Sequence, residues 1–404
     1  MELRYPEQVK TAMERLESAG HTAYLVGGAL RDALLGREAH DFDITTSARP
    51  HETERVFADL PVIKTGLKHG TLTVIIDGFP LEITTFRIDG DYHDARHPDG
   101  VTFTDRVEGD LARRDFTVNA MAYRPAEGLV DLFGGREDLT AGLIRAVGDP
   151  AARFSEDALR ILRAFRFMSK LDFDIEPQTL AATHACREGL SRISAERITA
   201  ELYGLFEGRG AEKALRVMIA QGIFEAFASD FDAENASVGN LDSIIPVFEI
   251  RFAFFLKNCK ESGESLIKEL RLSNISASRI QTLLRLREMP ISPREQGSLR
   301  RILAAAGRFG DDVEALLSAD GFFPLERQEA TEALASVRAI RARGDCLSVS
   351  ELAVDGRELL ARGFSGRAVG ETLAALLDHV LDDPRCNQKD TLLAIADQMR
   401  VDPL

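Results

Sequence analysis

Residues 24–36, YLVGGALRDALLG, and residues 41–44, DFDI, decide how the chain begins. His21–Val26 is a short β-rich run, and helical spacing over Ala29–Leu35 starts directly behind it. Between them, Gly27 and Gly28 allow backbone to approach a ligand closely, and the helix N-terminus offers unpaired N–H groups suited to phosphate. Arg31, in the first turn, adds a charged donor. A Gly-Gly pair by itself is usually an ordinary turn. Asp41 and Asp43 stand two apart, before or within the next strand, and are expected on one face because side chains alternate along a strand. Clustered carboxylates repel unless a hard cation sits between them, and Mg²⁺ takes oxygen ligands. Taken alone, the pair reads more readily as one capping and one solvated aspartate. Glu82, in a later β-rich run, completes the cluster if its strand is adjacent.

Working outward, Thr71–Asp77 and Pro80–Arg87 are predicted strands, with Asp77-Gly78 as a hairpin signal. Pro50–Leu60 is a predicted helix. This alternation predicts a small mixed α/β domain over about the first 145 residues. From Pro150 onward the β signal fades. Ser155–Leu171, Ser194–Phe206 and most of the remaining chain repeat apolar residues at helical spacing. Pro/Gly punctuation near 290–293, 321–324 and 363–366 divides that helical region. The predicted class is α+β: a small mixed-sheet head, then helices.

The chain has 404 residues, with 50 Lys+Arg against 65 Asp+Glu and a net charge of −15. Bulk attraction to DNA or anionic membrane is excluded by that balance, although a local basic groove is not. Residues 271–310 carry arginine at 271, 279, 285, 287, 294, 300, 301 and 308 against Glu288 and Glu295, a local net of +6. Such a stretch is either a track for a phosphate backbone or a solvated helix face. Cys186, Cys259, Cys346 and Cys386 are far apart and predict reduced thiols rather than disulfides or a zinc site. No apolar run is long enough to span a bilayer, and the first twenty residues pattern as a charged amphipathic helix rather than a signal peptide. A cytoplasmic protein is expected.

Gly-Gly-x-x-Arg-Asp followed by D-x-D favours nucleotidyl transfer, and here the sequence resembles the class II tRNA nucleotidyltransferases (CCA-adding enzymes) and related bacterial poly(A) polymerases. The resemblance rests on 24–36 and 41–44, KHGT at 68–71, EITTFR at 82–87, RRDFTVNAM at 113–121, DLFGGREDL at 131–139 and EDALR at 156–160. ELAVDGR at 351–357 extends it, more loosely, to the tail. It implies a polymerase-β-like head at 1–147 carrying catalysis and an all-helical neck at 148–207 carrying base recognition. A helical body at 208–325 and a tail at 326–404 that binds tRNA complete the implied division.

The resemblance also implies roles. Asp41 and Asp43 would hold Mg²⁺, with Glu82 in the catalytic cluster, and Gly28 and Arg31 would meet the triphosphate. Arg114 and Asp115 would lie near the nucleotide sugar, where an acceptor-only carboxylate suits ribose hydroxyls. The alternative for 113–115 is a helix-start cluster with Asp115 as N-cap, and both roles can coexist.

Asp157 and Arg160 are i, i+3 neighbours at the predicted start of a long helix. Cytosine and adenine share an amino donor beside a ring-nitrogen acceptor, whereas uracil and guanine reverse that order. A carboxylate with a guanidinium would therefore take C or A and reject U and G at about 1–3 kcal/mol per unpaired buried group. The family uses this pair as a protein template; the alternative is a surface Asp–Arg salt bridge. Arg163 and Arg166 continue the row, and three-residue steps turn it back by roughly 60° each, so the four cannot all face one base. Arg163 and Arg166 are expected to serve the triphosphate or to hold the helix to the head.

The polar segment between Arg87 and Phe103 corresponds to a flexible loop that helps the resembling enzymes switch from C to A. His93 and His97 within it are expected to be solvated. Asp378-His379 is reversed relative to a phosphohydrolase dyad and stands alone. Phe252, Phe254 and Phe255 are expected in the core. The helices read as a platform recognising tRNA by shape, with 271–310 as the main candidate track. The implied reaction adds C, C and A from CTP and ATP to the tRNA 3′ end, with Mg²⁺ as cofactor. A poly(A) polymerase, a CC-only or A-only enzyme, or a catalytically inactive RNA-binding protein remain alternatives.

Overall fold

The computed structural model describes residues 3–64, 66–89 and 101–401. They form two compact units, Met1–Ser229 and Asp230–Leu404. The predicted loop histidines, His93 and His97, lie outside the described residues.

The first unit is framed by strands β1 (Ala23–Val26), β2 (Asp43–Thr46), β3 (Val62–Ile63), β4 (Thr71–Ile76) and β5 (Phe79–Thr85). A separate antiparallel ribbon pairs β6 (Arg87–Asp89) with β7 (Val101–Phe103). With β8 (Met121–Arg124) and β9 (Gly128–Asp131), the first five strands make a seven-stranded sheet of order β3-β4-β5-β2-β1-β8-β9. Its β2–β5 pairing is parallel, and the register places Asp43 directly opposite Glu82. All of β1 is buried, as a central strand should be, while β4 alternates buried with half-buried residues. Asp77 and Gly78 have φ of 50° and 78° and close a two-residue turn between Ile76 and Phe79. Two left-handed residues in that loop match the right-handed twist of the strands it joins.

Helices α1 (Glu7–Ser18), α2 (Gly27–Leu34), α3 (Pro50–Val56), α4 (Val107–Ala112) and α5 (Gly135–Ala141) surround the sheet. The apolar row Val9, Ala12, Met13 and Leu16 buries α1, and Val107 and Leu111 of α4 pack with Tyr24, Val26, Phe86 and Ala122. The chain then continues through β10 (Leu143–Ile144), α6 (Pro150–Glu156), α7 (Leu159–Leu171), β11 (Asp174–Ile175), α8 (Pro177–Ala185) and α9 (Ala195–Phe206). Strands β10 and β11 pair in parallel. Beside them Arg145 reaches Asp138 at 3.1 Å and Glu176 at 3.4 Å. The two-residue β11 lies between α7 and α8 and ties this otherwise helical stretch to β10, which precedes it.

The second unit is helical. Phe248–Leu256 is a mostly apolar helix, and every residue of it but Glu249 is buried. Phe252, Phe254 and Phe255 are core residues, as expected; Phe252 stacks on Phe248 at 5.0 Å between centroids. A further core gathers Leu359, Leu376, Val380, Leu392 and Ala396.

The arginine-rich stretch 271–310 is less of a track than its charge suggests. Arg279 grips Asp312 with two 2.7 Å contacts, and Arg301 pairs with Asp378 and Asp382 at 2.9 and 2.7 Å. Arg300 is buried; it meets Asp345 at 2.7 Å and donates to the Leu381 carbonyl at 3.1 Å. These partners lie outside the 40-residue window, so counting charge within the window missed them. Arg285, Arg294 and Arg308 remain exposed. Arg300→Met strands the buried Asp345 carboxylate beside Arg343 alone, and is expected to cost about 3 kcal/mol in urea unfolding. An unchanged unfolding midpoint would show that Arg300 is not a structural tie.

Candidate active site

Gly27 joins β1 to α2 with φ of 74°. A Cβ at this position would lie 3.2 Å from Asp43 Oδ2 and 3.8 Å from Arg114 Nη1. Only glycine adopts this φ without strain while leaving that space open, so the backbone at the head of α2 borders both groups. Gly28 follows in α2, within 3.5 Å (from its ideal Cβ) of the Arg31 guanidinium.

The two aspartates are not placed by strand alternation. Asp43 is the first residue of β2, but Asp41 precedes the strand with φ of 51° and is exposed. A left-handed turn, rather than the strand pleat, sets where Asp41 sits. Glu82 does lie on an adjacent strand, in register with Asp43. Burial first, then the charge of Glu82, pushes Asp43 up to about 6, against the pull of Arg114 and with a further push from Asp41. Its negative charge is thus poorly compensated by protein. Among the described residues no three His, Cys, Asp or Glu side chains converge as a metal cluster. The oxygen donors of Asp41 and Asp43 suit a hard cation whose remaining ligands come from water or phosphate.

Beyond α4, Arg113, Arg114 and Asp115 lead into the turn Thr117–Asn119. Asp110 of α4 is wholly buried and binds both arginines: Arg113 at 2.7 Å through Oδ1 and Arg114 at 3.2 Å through Oδ2. Asp115 Oδ1 accepts from the Phe116 N–H at 2.8 Å and from Asn119 Nδ2 at 3.4 Å. Its Oδ2 meets Arg163 at 2.7 Å. Burial works against ionisation of Asp115, but Arg163 and the Phe116 N–H hold its carboxyl below the ordinary aspartate range. Phe116, not Asp115, is the N-cap of the turn, so the expected capping role is not the arrangement found; Asp115 braces Phe116 and Asn119 from the cavity wall. Arg31 is buried, bound to Asp32 at 2.8 Å and to Asn119 Oδ1 at 2.8 Å.

Asp157 and Arg160 do not sit on one uninterrupted helix. Asp157 is extended, with φ −145° and ψ 104°, and breaks the chain between α6 and α7. Its Oδ1 accepts the N–H of Leu159, the first residue of α7, at 3.0 Å, and its Oδ2 pairs with Arg197 of α9 at 2.7 Å. Arg160 is buried and bonds Glu156 at 2.7 Å, the Arg153 carbonyl at 3.3 Å and the Arg113 carbonyl at 3.1 Å. Each residue is thus held by other groups, and the surface Asp–Arg bridge is not the arrangement found. Arg163 ties α7 to the head through Asp115, whereas Arg166 pairs with Glu201 of α9 at 2.5 Å.

These elements enclose a cavity of about 480 Å³. Gly27, Gly28, Arg31, Asp43, Arg114 and Asp115 line it from the head, and Asp157, Arg160, Arg163 and Arg166 from α6–α7. Asp41 and Glu82 are outside the lining, on the edge beyond Asp43. Sequence reasoning missed Asn119, Phe167, Lys170 and Arg197, which share this wall. The Phe167 ring sits under three guanidiniums, those of Arg31, Arg163 and Arg166, at 5.4, 5.6 and 4.4 Å. Helical spacing marked it only as a core residue, and Arg197 carries no motif signal without its partner Asp157 in view.

The raised Asp43 pKa sets a stability test. Without a cation, its ionisation disfavours the folded state fully above pH about 6, and that penalty fades as pH falls toward the ordinary value of 3.8. In EDTA at pH 7.5, Asp43→Asn is expected to raise Tm by roughly 2 °C, with a smaller gain at pH 5. A gain that does not shrink on acidification would refute this electrostatic account.

Residues 23–145 match the family model "Poly A polymerase head domain", and residues 172–234 match "Probable RNA and SrmB- binding site of polymerase A". The CCA-adding enzyme of Lacticaseibacillus paracasei is 35% identical over 397 residues, covering 97% of this chain and 96% of that enzyme. That of Enterococcus faecalis is 34% identical over 409 residues, covering 98% and 97%. The crystal structure of the Bacillus stearothermophilus CCA-adding enzyme in complex with CTP superposes with a TM-score of 0.82, at 29% identity and 98% coverage of both chains. The Thermotoga maritima enzyme complexed with tRNA shares the fold at a TM-score of 0.68, with 22% identity and coverage of 98% and 97%. With a nucleotidyltransferase head of this build and likeness at this level along its whole length, the chain belongs to the CCA-adding enzyme family.

Proposed function

We propose that this chain adds C, C and A in turn to the 3′ end of tRNA, taking them from CTP and ATP without a nucleic-acid template and releasing pyrophosphate. One observation carries the proposal: the same cavity is lined by Gly28 and Asp43 of the head and by Asp157 and Arg160 of the α6–α7 junction. A nucleotide whose phosphates lie at the head of α2 would present its base to that junction.

The family generally depends on a divalent metal, and in this reading Asp41 and Asp43 hold Mg²⁺. Bound there, the cation would neutralise phosphate charge and lower the pKa of the attacking 3′ hydroxyl. Glu82 reinforces the negative field at Asp43. Arg31, Arg163 and Arg166, gathered on Phe167, supply positive charge for the triphosphate, and Arg114 with Asp115 border the sugar. Asp157 keeps acceptor capacity beyond its two protein donors, because a carboxylate offers about four lone-pair sites. Arg160 uses three of its N–H groups on the acceptors named above, which leaves donors on Nε and Nη2. An amino group beside a ring nitrogen satisfies both residues, and a carbonyl beside an N–H satisfies neither.

The body and tail carry the tRNA in this reading, with exposed Arg285, Arg294 and Arg308 available to its backbone. No helix among the described residues is long and apolar enough to cross a membrane, and we place the enzyme in the cytoplasm with its tRNA.

Single-nucleotide extension tests the reaction on tRNA lacking CCA, on tRNA lacking only the final A, and on a generic RNA. CTP use on the first and ATP use on the second are expected; growth of poly(A) on the generic RNA without CTP use would defeat the proposal. Asp41→Ala and Asp43→Ala should each abolish transfer while largely sparing tRNA binding, and undiminished transfer would refute the metal assignment. Reversing the hydrogen-bonding character at Asp157 and Arg160 should relax discrimination against UTP and GTP on the order of tenfold or more. Selectivity that persisted in such variants would remove those residues from base choice.

A further inference from the structure

Asp110 is itself assigned no contact with substrate, yet by exposure it is the most deeply buried carboxylate at the site. It is 0% exposed. Its Oδ1 takes Nε and Nη2 of Arg113 at 3.0 and 2.7 Å, and its Oδ2 takes Nη2 of Arg114 at 3.2 Å, with Thr45 Oγ1 at 3.4 Å. Burial of this kind is costly unless the ion is paired and hydrogen-bonded, and Asp110 satisfies both conditions with cavity-wall arginines.

The consequence lies with Arg114. Its Nη1 and Asp43 Oδ2 bracket one point in space, the Cβ position of Gly27, at 3.8 and 3.2 Å. Its other anchor is weak, a 3.3 Å bond from Nη1 to the Asn119 carbonyl, and its Nε is buried with no hydrogen-bond partner among the described residues. A guanidinium so placed has an alternative partner in Asp43, which flanks the same point beside Gly27. A bidentate Arg–carboxylate pair is among the stronger charge-assisted contacts, and forming it would occupy the oxygens proposed for the cation.

We propose that Asp110 is a positioning residue that tethers Arg114 and so keeps Asp43 open to the divalent cation. The inference rests on the reading of Asp41 and Asp43 as the metal carboxylates. Thr45 lies two residues beyond Asp43 on β2, so the tether is fastened to the same strand that carries the metal ligand. The Arg113 carbonyl, which accepts from Arg160, stands directly after the end of α4 that carries Asp110. Asp110 is therefore tied to the wall on both sides of the cavity, through Arg114 and through the segment that begins with Arg113.

Mn²⁺ binding to the full-length protein, without nucleotide or tRNA, tests this by titration against the paramagnetic resonance of free Mn²⁺. Asp110→Asn is expected to weaken Mn²⁺ binding about tenfold, as loss of groups that orient metal ligands commonly does. Adding Arg114→Met should abolish that effect, so that Asp110→Asn with Arg114→Met binds Mn²⁺ as Arg114→Met alone does. Wild-type affinity in Asp110→Asn, or an undiminished loss in the double variant, would overturn the inference. Circular dichroism reports whether Asp110→Asn is folded at the titration temperature. If it is not, Arg114→Met alone still decides: it must bind Mn²⁺ at least as tightly as wild type, and weaker binding overturns the tether. Asp43→Ala separates the two levels. Wild-type Mn²⁺ affinity in that variant would sink the metal reading itself, whereas loss in Asp43→Ala with none in Asp110→Asn would sink only the role of Asp110.

Discussion

The site depends on an ion pair that joins two parts of the first unit, Arg163 of α7 to Asp115 behind α4, at 2.7 Å. Asp115 is buried and contributes its other oxygen to the turn just after it. An uncompensated charge in that position would cost several kcal/mol, so α7 cannot drift from the head without a large penalty. The parallel pairing of β10 with β11 and the bond from Arg160 to the Arg113 carbonyl act in the same direction. Together they fix the distance between the end of α2, where phosphates would lie, and the α6–α7 junction. A nucleotide has a set length, and a wall that moved would lose register with its base.

Arginine outnumbers acid around the cavity, and a cluster of like charges needs a reason to stay folded before any anion arrives. The reason is local tethering. Arg31 is held by Asp32 and Asn119, Arg160 by Glu156, Arg166 by Glu201 and Arg197 by Asp157. Three of the guanidiniums also share the face of Phe167, an interaction worth about 0.5–2 kcal/mol apiece. Pre-organisation of this kind means that the arginines need not be ordered again when a triphosphate binds. It also limits their number of free donors, which favours directional contacts over sequence-blind adhesion.

Much of the head was legible in the sequence because its signals are local. The β1–Gly-Gly–α2 junction, the Asp77-Gly78 hairpin and the strand bearing Glu82 arise from pleat, helical period and the φ demands of two residues. The interruption at Asp157 was not legible. A helical period runs through 150–171 without a proline or glycine at the break, and the helix stops because the Asp157 carboxylate turns to cap Leu159 and to meet Arg197 forty residues later. Asp41 misled for a related reason: D-x-D looks like strand alternation, but a left-handed residue precedes the strand. Partners distant in sequence explain the other misses. Arg279, Arg300 and Arg301 form a basic run when counted within forty residues, yet Asp312, Asp345, Asp378 and Asp382 answer them from outside that run.

These long-range pairings change the meaning of the net charge of −15. The acidic surplus is not spread evenly as a repulsive coat. Part of it neutralises arginines in the second unit, and part lies at Asp41, Asp43 and Glu82, where a divalent cation would offset most of it. With part of its arginine committed to these pairs, the chain's grip on a phosphate backbone should be modest, with a salt dependence set by the number of phosphate contacts it makes. For the proposed reaction that is an advantage: an enzyme that extends one end and lets go gains nothing from contacts that are the same on every RNA. Selectivity would then come from the cavity, where Asp157 and Arg160 are held in place by other protein groups and a mismatched base leaves their remaining donors and acceptors unpaired.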